Sequence, residues 1–387
     1  MTARVQLLAT LPARSPVKVL YLLPDLFRAS GGIARYARLI TRALTELPNT
    51  CELDVLVLHD EHGRIPEPDY WRPGPHRYSP YGGDRLAFTR DLGLRLVGTR
   101  YDLVLSGHVN LSPLPYFLDP AGSRKHLVTF VYGIDAMVRL PWYRRVSLRQ
   151  SSRVISISQF TADRTARANL VPKAKIRVLH NCLDPVFTEP QATSGPCGGT
   201  TCFGPNAILT VSRLERGDAY KGHRAILRAM PMVLRAVPDA RYYIVGQGEL
   251  AQELEAEARA AGIGNHVVFL GRVSDRELAA CYQKARVFAM PSKAEGFGFV
   301  FLEAMAYGCP VLAGKGDAAP EVLGWGEAGV LVDPDDTEEI ANGLARLLTD
   351  ASLRERLASG GRTRAKELFG YTLFKSRLES YLFGEIR

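Results

Sequence analysis

The feature that most constrains this chain is a recurring short segment made of apolar residues on both faces. Val17–Leu23, Leu53–Leu58, Leu103–Ser106, Leu127–Val131, Val154–Ile157 and Ile176–Leu179 are such runs, with helical stretches between several of them. After Val17–Leu23, the stretch Ile33–Leu47 places Ile33, Tyr36, Ala37, Ile40 and Leu44 at helical spacing. A strand buried on both faces needs helices above and below it, so the alternation predicts a parallel sheet covered by helices. The theme stops at residues 188–206, which are rich in Pro, Gly, Thr and Ser, and then restarts. Strands are predicted at Ile208–Val211, Tyr242–Val245, Val267–Leu270, Val287–Met290, Val311–Ala313 and Gly329–Val332. Helices are predicted over 222–237, 249–261, 275–285, 299–307 and 337–348.

The fold class expected is therefore α/β, with two doubly wound parallel sheets facing a cleft between them. The expected domains are 1–190, a linker 191–206, 207–370, and a closing helix in 371–387 that crosses back. A length of 387 residues, 46% hydrophobic and 23% charged, gives each half enough chain for its own core. The most apolar stretches, Leu103–Leu118 and Phe297–Leu312, are interrupted by His108, Asn110 and prolines, and by Glu303 and Pro310, so no spanning helix is expected. Met1–Ala13 imitates a signal peptide, but Gln6, Thr10 and the strand pattern from Val17 read better as a frayed lead-in. A cytoplasmic protein is expected. Its six cysteines are scattered. Cys197 and Cys202 have no second pair to complete a zinc site and read as reduced bystanders.

Charge is uneven. Of the net +9, residues 1–190 carry 26 Lys and Arg against 16 Asp and Glu, while the remainder carries 23 against 24. The basic half points to an anionic partner. Its densest patch runs from Arg139 to Arg149, where Trp142 and Tyr143 sit among Arg144, Arg145 and Arg149. That pattern suits a helix lying in an anionic lipid headgroup layer, or a plain solvated basic helix. No nucleic-acid-binding motif accompanies it.

Four segments carry chemistry. Gly31-Gly32 follows the first strand and opens a helix, where backbone amides suit an anion. Arg213 ends a strand and Lys221 opens the next helix, a fork and a point charge suited to a pyrophosphate. A glycine-rich turn after Val287–Met290 carries Glu295 and runs into an apolar helix carrying Glu303. A glutamate in so apolar a segment must be hydrogen-bonded. Gly316-Asp317-Ala318-Ala319-Pro320-Glu321 opens another helix and reads as a second phosphate cradle.

Together with Gly246-Gln247-Gly248 and Ala319-Pro320-Glu321, these residues resemble the retaining glycosyltransferases of family 4, with the GT-B fold and a Glu-x7-Glu spacing. The resemblance runs over nearly the whole chain and leans towards mannosyltransferases. It implies a nucleotide-diphosphate sugar held by the second domain and a glycan acceptor, lipid-linked or membrane-proximal, held by the first. Donor contacts would come from Gly31, Gly32, Arg213, Lys221, Gly246, Arg272, Val273, Glu295, Phe297, Gly298, Phe299 and Glu303. Catalytic roles would fall to Glu295, Arg213, Lys221, Tyr132 and His108, and acceptor contacts to Asp135, His108 and Asn110. Ser158 matches a family serine and also suits a helix cap.

The chain departs from the family at Tyr132, where many relatives carry His; a phenol is a poor base at neutral pH. His108 is an alternative group. No cofactor and no metal are expected, since the sole Asp-x-Asp spacing, Asp333-Pro334-Asp335, reads as loop solvation. Donor cleavage would draw on Arg213, Lys221 and helix N-termini to hold the departing phosphate. For retention, Asp135 and Glu295 are formal candidates for a double displacement, while the resemblance favours front-face attack, with the leaving phosphate taking the acceptor's proton. GDP-mannose leads UDP-hexoses as donor. A non-catalytic nucleotide- or glycan-binding subunit is the alternative from another class, and a phosphorylase or epimerase is a third.

Overall fold

The structure is a computed structural model, which describes residues 16–29, 31–47, 51–64, 66–119, 126–188 and 203–384. The lead-in Met1–Ala13, most of the 191–206 linker, Cys197 and Cys202 lie outside the described residues. The first sheet has seven strands: β1 (Val17–Leu23), β2 (Cys51–Val57), β3 (His76–Pro80), β4 (Leu103–Ser106), β5 (Leu127–Val131), β6 (Arg153–Ser156) and β7 (Ile176–Val178). The second has six: β8 (Ala207–Val211), β9 (Arg241–Val245), β10 (Val267–Gly271), β11 (Val287–Met290), β12 (Val311–Gly314) and β13 (Gly329–Val332).

Strand order is β3-β2-β1-β4-β5-β6-β7 in the first sheet and β10-β9-β8-β11-β12-β13 in the second. The registered pairs run parallel: Val19 lies beside Leu53 on one side and Leu103 on the other, and Ile208 lies between Tyr242 and Val287. Both orders reverse once, between β1 and β4 and between β8 and β11. Chain leaving those two neighbours diverges to opposite faces, which opens a crevice at the strands' carboxyl ends. The loops after β1, β4, β8 and β11 are thereby the ones placed to hold ligands.

The central strands form as the sequence predicts because their residues vanish from solvent on both faces; Val19–Leu23 and Val287–Met290 are fully buried, whereas β7 and β10 are half-buried. In the second core, helix His223–Ala236 turns Ile226, Met230 and Val233 inward, and helix Thr337–Thr349 turns Ile340, Leu344 and Leu347 inward. The two helices pack against each other. Each such leucine or isoleucine stabilises the fold by roughly 1.5–3 kcal/mol. Asp336 starts the second helix by accepting from the Glu339 amide at 2.9 Å.

β3 and helix Ala351–Leu368 are among the elements that sequence reading does not name. β3, His-Arg-Tyr-Ser-Pro, is a polar, half-buried edge strand with no apolar run to mark it. Helix Ala351–Leu368 contains Gly360 and Gly361, residues of low helix propensity. A methyl group added at Gly361 would sit 3.2 Å from the Met305 side chain, so the missing side chain lets this helix lie close to helix Phe299–Ala306. By density of internal contacts the chain divides into residues 1–130 with 141–154, and residues 131–140 with 155–387. The segment Val131–Leu140 and everything from Ile155 onward thus belong to the second unit.

Candidate active site

In the second unit, the chain leaving β8 and β11 meets at Lys221. Its ammonium lies 3.1 Å from Glu295 Oε2, with both side chains mostly shielded from water. Burial opposes the lysine charge, but Glu295, Tyr220 and Asp218 outweigh it and hold its pKa above the ordinary lysine value. Two backbone approaches make the pairing possible. Gly222 has φ 88°, and a side chain there would come within 2.3 Å of the Pro291 carbonyl. The Lys293 amide donates to the Tyr220 carbonyl at 3.0 Å. Arg213 is more exposed and reaches buried Asp218, Nε to Oδ2 3.3 Å. Asp218 holds the guanidinium at the mouth of β8, a role the sequence did not disclose.

Behind Arg213 lies a buried polar chain. Ser212 Oγ is 2.7 Å from His223 Nε2, and His223 Nδ1 is 2.9 Å from the Tyr242 hydroxyl. Tyr242 donates to Thr210, and Thr210 donates to the Ala289 carbonyl. With Nδ1 carrying the imidazole proton, Tyr242 and Thr210 each donate inward, while the single Ser212 hydroxyl proton is shared between His223 Nε2 and the Arg213 carbonyl, 2.9 Å away. Burial, with Lys221 and Arg224 nearby, lowers the His223 pKa to about 4, so the ring is neutral. Gly246, after β9, has φ 140° and lies against Ser212; a methyl group there would meet the Ser212 carbonyl at 1.7 Å.

The Glu295 turn is pinned at each residue. The Glu295 amide donates to Asp317 Oδ2 at 2.9 Å, and its carbonyl accepts from Ala318 at 3.1 Å. Phe297 is fully buried against His180 and Phe369, with ring centroids 5.8 and 5.5 Å away. Gly298 caps helix Phe299–Ala306 with no side-chain hydrogen bond. That helix starts only at Phe299, so Glu295 precedes it while Glu303 lies within it. Glu303 is buried, and the Tyr282 hydroxyl donates to its Oε2 at 2.7 Å. Tyr282, on helix Asp275–Lys284, is thus the partner that so apolar a setting requires. Arg272 and Val273 follow β10, Arg272 exposed and Val273 half-buried.

The reading of residues 316–321 as a phosphate cradle is corrected. Asp317 itself occupies the Ala319 amide at 2.9 Å, the Ala318 amide is taken by Glu295, and the helix Ala319–Val322 is a single turn. Burial, with Glu295 adding repulsion, pushes the Asp317 pKa up to about 7. Asp333 and Asp335 lie against Lys315 and Lys293 respectively. Among the described residues, no group of three or more His, Cys, Asp and Glu is placed to hold a metal ion.

Tyr132 and Asp135 form one turn after β5. Asp135 accepts from the Tyr132 amide at 3.1 Å, and burial, partly offset by the amides of Tyr132 and Gly133, raises its pKa to about 7. The backbone of Gly296 approaches this turn so closely that a side chain at Gly296 would meet the Tyr132 carbonyl at 2.1 Å. Ser158 both caps its helix, accepting from Thr161 at 3.0 Å, and donates to the Gly296 carbonyl at 2.8 Å.

In the first unit, Gly31 has φ 133° and caps helix Gly32–Thr45 without a side-chain hydrogen bond. The loop before it is organised by a residue that sequence reading missed. Buried Asp60 accepts from the amides of Leu26, Phe27 and Arg28 at 2.8–3.1 Å and from the Tyr78 hydroxyl at 2.6 Å. His108 follows β4; its Nδ1 accepts from the Asn110 amide at 3.1 Å. Burial and Arg144 lower its pKa to about 4, so it is a neutral ring at physiological pH. Helix Trp142–Gln150 presents Trp142 to solvent, 66% exposed, with Phe117 at a centroid distance of 6.4 Å and Arg144 over the Tyr143 ring.

Comparison with known proteins adds three findings. The family model described as Glycosyltransferase Family 4 matches residues 30–187, and that described as Glycosyl transferases group 1 matches residues 204–364. The chain is 34% identical over 183 residues to a GDP-mannose-dependent alpha-(1-6)-phosphatidylinositol monomannoside mannosyltransferase of Mycobacterium tuberculosis, covering 46% of this chain and 48% of that protein. The match spans about half the length of such curated relatives. Sucrose-phosphate synthase from Thermosynechococcus elongatus superimposes with a TM-score of 0.75 at 20% identity, over 95% of this chain and 99% of that one. Anabaena Alr3699/HepE, solved in complex with UDP, gives 0.74 at 21%, over 95% and 100%. At such identities the likeness establishes the fold.

Proposed function

The chain belongs to the family 4 glycosyltransferases of GT-B fold, and from that premise we propose that it transfers a hexose, mannose foremost, from a nucleotide-diphosphate sugar to a lipid-linked acceptor. The observation that carries this reading is the Lys221–Glu295 pair at the reversal of the second sheet, with Arg213 held beside it by Asp218. A diphosphate entering there takes the two cations, and Glu295 is released towards the sugar hydroxyls. Glu303 serves the ribose. The uncapped N-terminus of helix Phe299–Ala306 adds favourable field to the phosphates.

The reaction proposed is front-face and retaining. The sugar C1–oxygen bond breaks, the diphosphate leaves with both bonding electrons, and the acceptor hydroxyl bonds to C1 while passing its proton to the departing phosphate oxygen. Arg213 and Lys221 stabilise the charge that builds on that oxygen, so the proposed reaction needs no metal. The pairing of Asp333 and Asp335 with lysines supports that reading. GDP-mannose and a phosphatidylinositol-type acceptor are favoured because the curated relatives carry those words in their names. The basic first unit, with exposed Trp142, supports residence at an anionic membrane surface.

The test is a transfer assay with GDP-mannose and UDP-glucose, each against phosphatidylinositol and its mannosides in detergent, with chelator present. The reading expects mannosylated lipid with the donor's anomeric configuration. Nucleotide binding without transfer to any acceptor would favour a non-catalytic subunit instead.

A further inference from the structure

We infer that Glu321 is a positioning residue for the Glu295 turn, acting through the N-terminus of helix Gln159–Asn169; the inference rests on the role proposed for Glu295. Glu321 is half-withdrawn from solvent and both its oxygens are engaged. They accept from the Gln159 amide at 2.9 Å each, and Oε2 also from the Phe160 amide at 3.2 Å. These are the first amides of the helix, where a carboxylate is most favourable. The next donors of the same terminus turn to the Glu295 loop. Ser158 Oγ donates to the Gly296 carbonyl at 2.8 Å, and Thr161 Oγ1 reaches the same carbonyl at 3.3 Å.

Glu321 grips the loop by a second route. His180 Nε2 lies 2.6 Å from Glu321 Oε1, and the same imidazole packs on Phe297. A third route is the backbone, since Asp317 and Ala318, four and three residues earlier, hold the amide and carbonyl of Glu295 itself. Two routes from the carboxylate and one along its own chain segment end on residues 295–297. Without it, the helix terminus and His180 lose their common acceptor, and the turn that aims Glu295 at Lys221 is left to Asp317, Ala318 and a Ser158 whose helix terminus is no longer anchored. Burial opposes the charge on Glu321, but His180 and the two amides outweigh it and keep the carboxyl below its ordinary pKa, so the acceptor is ionised at neutral pH.

The experiment compares Glu321→Gln, with Ser158→Ala as a second variant, against the unaltered protein. Steady-state transfer, calorimetric binding of GDP and amide hydrogen exchange are each measured. The inference expects kcat to fall at least tenfold while the Kd for GDP stays within twofold. It also expects exchange in residues 294–298 to speed at least tenfold while β8 and β9 keep their protection. Unchanged exchange in that segment would overturn it, as would GDP affinity falling in step with kcat, which is what general loosening produces. If the unaltered protein transfers nothing, the functional reading fails on its own, and the exchange comparison still decides the coupling. Should Glu321→Gln not fold, Ser158→Ala carries both measurements.

Discussion

At the scale of single residues, the candidate site depends on groups that carry no chemistry of their own. Gly246 is the clearest: with φ 140° and a methyl group 1.7 Å from the Ser212 carbonyl, no side chain fits without moving the Arg213 turn. Gly246→Ala is expected to cost roughly 3 kcal/mol or more, read as a lowered midpoint in urea. His223 makes a second prediction. Its folded pKa of about 4 lies below the ordinary 6.5, so the unfolded chain binds the proton first as pH falls. The associated stability is complete above pH 6.5 and is lost on acidification through pH 4, up to about 3 kcal/mol. His223→Gln should therefore flatten the stability profile between pH 6.5 and 4; an unchanged slope would show that the ring is not buried neutral. The charged residues of the site were legible in sequence because cations and carboxylates at strand exits have few cheap structural uses. Asp60, Asp218 and Tyr282 were not, because what makes them matter is which backbone or side chain they meet, and those partners are 18 to 34 residues away for Asp60 and 21 for Tyr282.

At the scale of elements, continuous apolar runs disclosed twelve of the thirteen strands among the described residues, and β3 stayed hidden because an edge strand needs no apolar face. Helix Ala351–Leu368 was hidden for the opposite reason: tertiary packing against the Glu303 helix overrides the intrinsic cost of two adjacent glycines. Gly361→Leu should then push the two helices apart and weaken nucleotide binding together with stability, both readable in one thermal-shift titration. Helix Trp142–Gln150 makes a separate prediction. Trp142→Ser combined with Arg145→Glu should reduce binding to phosphatidylinositol-containing vesicles at least tenfold, with the unaltered protein's binding falling as salt rises. Since Trp142 is exposed, the melting temperature should stay within about 2 °C; undiminished vesicle binding would mark the helix as merely solvated.

At the scale of the whole molecule, two parallel sheets each reverse order once, and each reversal places a glycine-capped helix or a pair of cations at a strand exit. Fold class was legible because burial on both strand faces leaves few architectures. The choice of nucleotide and acceptor was not, because it rests on loop shape rather than on residue type. The measurement that bears most directly on the account is calorimetric titration of nucleoside diphosphates into the unaltered protein and into Lys221→Gln. The account predicts that GDP binds the unaltered protein, more tightly than UDP or ADP, and that the variant loses about a hundredfold in affinity, near 2.7 kcal/mol, while keeping its fold. A protein that takes up no nucleoside diphosphate, or a folded variant that binds GDP as tightly as before, would contradict it.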